Sequence, residues 1–345
     1  MPIKKARGFL MASGISLIAL VFLFYVTSSF ALVFLAILLC LLELALSFDN
    51  AVVNVKTLVE MPLVWQKRFL YIGLPIAVFG MRLVFPVVMV ASTTPLSLGE
   101  VIHIALYQPN DYAKAVQVGL PLISGFGGAF LLMVFFNYFA ERGHKEGEIK
   151  NKFKLVLRLF SPFFLVLFIG ALIGLLTKVF ELKIPGESES AFFWAYFWGA
   201  LLNFLFQFLR GACQLLKVAK AGLIGVIGFL YLEFLDASFS LDGVLGAFAL
   251  TENLLVIMVG LGIGALFVRT FTVQMLENKT LQKWKYLDLG AHISVGFLGI
   301  MMLIKVFAHV PAVFIAGGSS LMIILSIIFS IFPRRTRNET NSLKS

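Results

Sequence analysis

Residues 43–53 read ELALSFDNAVV and residues 236–244 read DASFSLDGV, each inside an otherwise apolar run. Both follow one pattern: an acid, three residues, Ser, one residue, Asp, then an amide or small residue. Glu43 corresponds to Asp236, Ser47 to Ser240 and Asp49 to Asp242, all at an offset of 193. On a helix, Glu43 and Ser47 share a face, as do Asp236 and Ser240, whereas Asp49 points elsewhere. Glu233 adds a carboxylate one turn before Asp236, and Arg82 and Arg269 are cations in equally apolar surroundings. Five close carboxylates (Glu43, Asp49, Glu233, Asp236 and Asp242) cannot all ionise in a low dielectric. Two arginines compensate two of them, and the rest must be protonated or neutralised by a cation. Carboxylate, hydroxyl, amide and carbonyl oxygens form a hard donor set, suited to Mg²⁺, Ca²⁺ or Mn²⁺ rather than to a thiophilic metal. The residues from which such a site could be built are the five carboxylates with Asn50, Ser47 and Ser240, set against Arg82 and Arg269. His292, in GAHIS, could add one nitrogen and tilt the choice toward Mn²⁺, although alone it reads more readily as a packing or supporting residue. Asn50 and Gly243 follow Asp49 and Asp242, and Asn and Gly tolerate a broken or left-handed turn. An interruption of each helix there is expected, with backbone oxygens freed toward the acids.

The elements that must hold these residues are membrane-spanning. The chain has 345 residues and is 60% hydrophobic, with a mean hydropathy of +0.97, far above an ordinary globular domain. Apolar runs of roughly 18 to 25 residues, the span of a bilayer's hydrocarbon core, recur along its length. Helices are expected at 9–26, 30–55, 69–92, 117–139, 155–177, 191–209, 221–248, 253–276, 287–306 and 310–332. The first run could be mistaken for a signal peptide with a cleavage site near residue 31, but it is long for that and reads as a first helix. Loop 93–116 carries turn signals and room for a short interfacial helix. Cys40 falls in the membrane and Cys213 in a connection, with no metal-ligand spacing around either.

Taking the connections alternately from the N-terminal tail, one set holds 22 of the 28 Lys and Arg, and the other only Lys114, Lys178, Lys183 and Lys305. That asymmetry predicts an even number of spans with both termini cytoplasmic. The net charge of +10 then faces anionic membrane lipid from six separate segments, a dispersal that argues against nucleic acid as a partner. The next span matches too, VFGMRLVFPV with Arg82 against ALFVRTFTVQ with Arg269, and a weaker match joins SGFGGAFLLMVF to HISVGFLGIMML. Spans 2, 3 and 4 therefore correspond to spans 7, 8 and 9. A shift of five helices reverses the direction of crossing, the signature of an inverted-repeat transporter with its site between the repeats. The fold expected is an all-α polytopic membrane protein of about ten transmembrane helices in two inverted-topology repeats. The first repeat covers 1–185 and the second 186–333, with a cytoplasmic tail at 334–345.

At these residues the sequence resembles the TerC family of integral membrane proteins, in the subgroup with LSFDNAVVN in one half and YLEFLDASFSLDGVLGAFALT in the other. The resemblance covers roughly residues 35–140 and 220–307. It implies a bacterial inner-membrane protein that exports Mn²⁺, with no prosthetic group, and with Glu43, Asp49, Asn50, Asp236 and Asp242 at the ion site, supported by Ser47 and Ser240. The related pattern before GAH tends to carry a His where this chain has Leu289, after the acid Asp288. Export against the membrane potential makes proton exchange a plausible coupling, since proton and metal compete for the same carboxylates. Two other classes stand beside the transporter. One is a membrane protein whose acids bind a regulatory metal. The other is an intramembrane aspartyl-type hydrolase, whose second motif carries a Gly-Asp dipeptide that is absent here.

Overall fold

Backbone N–H and C=O groups find no water in hydrocarbon, so a spanning chain must satisfy them within helices or closed barrels. The computed structural model describes residues 2–142, 152–182, 184, 189–216, 221–248, 250, 251, 253–308 and 310–331, and among them there are helices and no strand. In chain order they are α1 (Pro2–Thr27), α2 (Phe30–Glu60), α3 (Leu63–Pro75), a π-helical stretch (Ile76–Val84), α4 (Phe85–Thr93), α5 (Leu98–Tyr107) and α6 (Pro109–Arg142). There follow α7 (Lys152–Val179), α8 (Glu189–Leu216), α9 (Ala221–Phe248), α10 (Leu254–Glu277), α11 (Thr280–Lys283), α12 (Leu287–Ile304) and α13 (Ala312–Ile331). Among the described residues, ten helices are long and apolar enough to cross a membrane. The protein is an all-α polytopic membrane protein. The tail at 334–345 and most of the connection at 140–154 lie outside the described residues.

Local signals set several boundaries. Ser29 caps α2 by accepting the Leu32 N–H, and Asn253 caps α10 through the Val256 N–H. The short helix expected in loop 93–116 is α5, started by a capping box between Ser97 and Glu100. The Ser97 backbone N–H, then its hydroxyl, hold the Glu100 carboxyl below the usual carboxylate range. Cys213, expected in a connection, lies in the last turns of α8.

Two local expectations are corrected. Neither α2 nor α9 is interrupted: helix runs through Asn50 and through Gly243. Gly243 serves a close approach rather than a break, because a Cβ there would lie 2.6 Å from Glu43 Oε2. Asn50 keeps its helical backbone and spends its side-chain amide on α9. The irregular backbone falls instead in the third span, between Pro75 and Pro86. Proline has no N–H to donate to the preceding turn, and the wider π turns between the two carry Arg82.

Most contacts among the six central elements fall in the pairs that exchanging α2, the third span and α6 for α9, α10 and α12 would give; the α4–α6 contact, which has no comparable α10–α12 counterpart, is an exception. α2 packs on α10 as α9 packs on the π stretch and α3; α2 meets α12 as α6 meets α9. That exchange maps the pairs α2–α9 and α6–α12 onto themselves, and both are in contact. The α6–α12 approach is reciprocal: a Cβ on Gly128 would lie 3.1 Å from the Gly299 carbonyl oxygen, and one on Gly299 would lie 3.1 Å from that of Gly128. The flanking spans depart from this symmetry. α8 packs on α6, whereas α1, its counterpart, lies on α10 and α2. The outer spans expose apolar side chains such as Ile18 on α1, Phe168 on α7 and Phe329 on α13, as a lipid solvent permits.

Gly264 makes room for the same acid from α10, since its Cβ would lie 2.5 Å from Glu43 Cβ. Gly264→Ala is expected to destabilise the protein by about 1–3 kcal/mol through overpacking. Thermal unfolding in detergent measures this, and an unchanged midpoint would show that the α2–α10 contact yields freely.

Candidate functional site

α2 presents Glu43, Ser47, Asn50, Asn54 and Thr57 at intervals of four, three, four and three, which is one face of a helix. All five are buried. The first four line a central cavity, together with Arg82 from the π stretch, Asp236 and Ser240 from α9, and Arg269 and Thr272 from α10. The free space between them is about 20 Å³, enough for one water or one bare ion.

Each of these two acids pairs with the arginine one span further along the chain. Arg82 Nη2 donates to Glu43 Oε1 at 2.5 Å, and Arg82 Nη1 donates to the Ala77 carbonyl, five residues back across a π turn. The Ser47 hydroxyl donates to the same Glu43 oxygen at 2.7 Å. Arg269 Nη2 lies 3.7 Å from Asp236 Oδ2, a looser pair, and the guanidinium stacks 3.7 Å from the Phe69 ring centroid. The repeats are joined by Asn50, whose amide donates to Asp236 Oδ1. Glu is one methylene longer than Asp, which lets Glu43 reach Ser47; the Ser240 hydroxyl has no hydrogen-bond partner. The Asn50 and Asn54 side-chain carbonyl oxygens also lack partners.

Glu233 is buried beside this group, and neither of its oxygens has a hydrogen-bond partner. A Cβ on Gly73 of α3 would lie 2.6 Å from Glu233 Oε1 and 2.8 Å from Arg269 Nη2, so the two groups flank one point that glycine leaves open.

Other expected residues are placed apart. Asp49 turns away from the cavity toward α12, accepting from the Ser294 hydroxyl at 2.7 Å and from the Asn50 N–H at 2.8 Å. The Asp242 side chain lies outside the described residues. His292 stacks on Tyr138 with ring centroids 3.9 Å apart, and its Nδ1 lies 2.8 Å from the Asp288 carbonyl oxygen. It borders a second polar space, of about 30 Å³, with Lys56, Glu60, Glu141 and Arg210. Among the described residues, no three His, Cys, Asp or Glu side chains are grouped to hold a metal ion. The cavity offers two carboxylates and a set of neutral oxygens. Asn54 and Thr272 were missed from the sequence; Asn54 continues the stripe begun by Glu43, and that spacing could have found it.

A multi-pass helical membrane protein with paired buried acid–arginine couples is the class that fold and site define. The chain belongs to the family described as "protein of unknown function (DUF475)", which matches residues 48–338. No curated protein and no solved structure matches the chain.

Proposed function

We propose that the protein transports a hard divalent cation, with Mn²⁺ the favoured cargo, outward across a bacterial inner membrane. One observation carries the reading. Three buried oxygens, Asn50 Oδ1, Asn54 Oδ1 and Ser240 Oγ, line one small cavity beside Asp236 and have no hydrogen-bond partner. Such groups are rare in native proteins and mark a place for a water or an ion, and the carboxylates beside them favour a cation. Amide, hydroxyl and carboxylate oxygens suit a hard divalent ion, and acids within a membrane usually mark an ion path. The TerC-like motifs favour Mn²⁺ and the inner membrane. The Lys and Arg distribution favours cytoplasmic termini.

In this reading the arginines are tethered counter-ions that an arriving cation must displace. Asp236, held loosely, yields first. Arg269 stays on the Phe69 ring and turns to Glu233, so the guanidinium keeps a counter-ion. Protons compete with the cation for the same carboxylates, which provides exchange. Asp49 lies outside this donor set. A transporter fits better than a hydrolase because each cavity acid faces its own arginine rather than sharing a proton with the other. The space also admits an ion and not a peptide.

Vesicles loaded with Mn²⁺ and carrying the purified protein are expected to release it faster than loaded, protein-free vesicles, and faster still with an opposing pH gradient. Vesicles that hold Mn²⁺, Ca²⁺ and Mg²⁺ as well as protein-free ones do would reject transport.

A further inference from the structure

The polar stripe of α2 does not stop at the central cavity. Asn54 lies on the cavity wall, while Thr57, three residues on and adjacent on the same face, borders two spaces at the basic end of the molecule, a polar one of about 30 Å³ and a largely apolar one of about 110 Å³. Three residues of helix rise about 4.5 Å, so one turn separates the cavity from this vestibule. The second repeat offers no such continuation. At the same offset of 193, Asn54 and Thr57 become Ala247 and Leu250. Ala247 is packed in an apolar cluster with Leu39, Val244, Val256 and Leu261. The barrier on the basic side is therefore thin and polar, and the barrier on the opposite side is apolar. Two ion pairs tie the vestibule's walls together. Lys56 on α2 meets Glu141 on α6 at 3.2 Å, and Arg210 on α8 meets Glu60 on α2.

We propose that the Asn54–Thr57 face of α2 is the passage between the central cavity and the basic end, and that the Lys56–Glu141 and Arg210–Glu60 ties close it. The cargo, a hydrated cation that sheds its water onto amide and hydroxyl oxygens, rests on the transport reading above; the passage itself does not. The test uses the full chain with Cys40→Ala and Cys213→Ala, carrying Asn54→Cys, Thr57→Cys or Ala247→Cys singly. Each is reacted with a charged, membrane-impermeant methanethiosulfonate, from either side of the membrane. Thr57→Cys is expected to react from the basic side. Asn54→Cys is expected to react slowly, and about fivefold faster once Glu141→Gln and Arg210→Gln remove ties of ordinary surface strength. Ala247→Cys is expected to stay unreacted from both sides. An inert Asn54→Cys in both backgrounds, in monodisperse protein, overturns the proposal, as does Ala247→Cys reacting equally fast. Should Asn54→Cys not fold, an inert Thr57→Cys without the ties overturns it. The expected labelling in a protein that moves no cation would reject the cargo and keep the passage.

Discussion

Asp236→Asn is expected to weaken cation binding by about a hundredfold or more, as removal of one member of a buried charge pair does, while the protein stays folded. Asn keeps the size and one oxygen but removes the anion that offsets the cost of stripping water from a cation. The cavity would then hold Glu43 against two guanidiniums, a balance far less favourable to a cation. Folding should survive because Asp236 is the looser of the two acids. Its side chain keeps 14% of its exposure and its arginine sits 3.7 Å away, against 2% exposure and 2.5 Å for Glu43. Glu43→Gln should behave differently. It leaves Arg82 buried without its carboxylate, a loss of about 3–5 kcal/mol in stability. Calorimetric titration with Mn²⁺ and thermal unfolding separate the two variants. Full-strength Mn²⁺ binding by Asp236→Asn would remove Asp236 from the site.

Much of this arrangement was legible in the sequence, because a bilayer leaves few solutions. Apolar length located the ten spans, and turn signals located α5. Matched acids at an offset of 193, each followed one span later by an arginine, suggest related halves, and most contacts among the central helices fall into the pairs this gives. What the sequence could not show was which acid meets which arginine, since Glu43–Arg82 and Asp236–Arg269 are contacts between helices. It also misassigned the irregular backbone. Asn50 and Gly243 are good candidates for a break by propensity, yet both serve contacts from within intact helix: Asn50 bonds to Asp236 and Gly243 makes room for Glu43. The true irregularity was signalled by Pro75 and Pro86 around Arg82, which removes two donors from the third span. Asp49 and His292 show the same limit. Their residue types suit a metal, but Asp49 turns to Ser294 and His292 to Tyr138, and only the packing of α12 decides that.

Glu233→Gln tests whether Arg269 moves. Glu233 has no hydrogen-bond partner, so as a carboxylate it costs stability where it lies, and a neutral amide of the same shape should be tolerated or mildly stabilising. If its only role were structural, Mn²⁺ affinity would not change. The transport reading gives it another. When a cation takes Asp236, Arg269 must find a second anion or be left buried and uncompensated, and Glu233 is the carboxylate beside its Nη2 across the gap that Gly73 leaves. With Gln at this position, the guanidinium resists displacement and the cation binds against it. Affinity is then expected to fall by about tenfold, the equivalent of ~1.4 kcal/mol, with the unfolding midpoint unchanged or raised. Arg269→Gln added to Glu233→Gln should restore much of that loss, because the competing charge is gone. Calorimetric titration of the single and double variants with Mn²⁺ gives the coupling between the two residues directly. Additive effects, or an unaltered affinity in Glu233→Gln, would mean that Arg269 stays with Asp236 throughout and that cation binding must be compensated elsewhere.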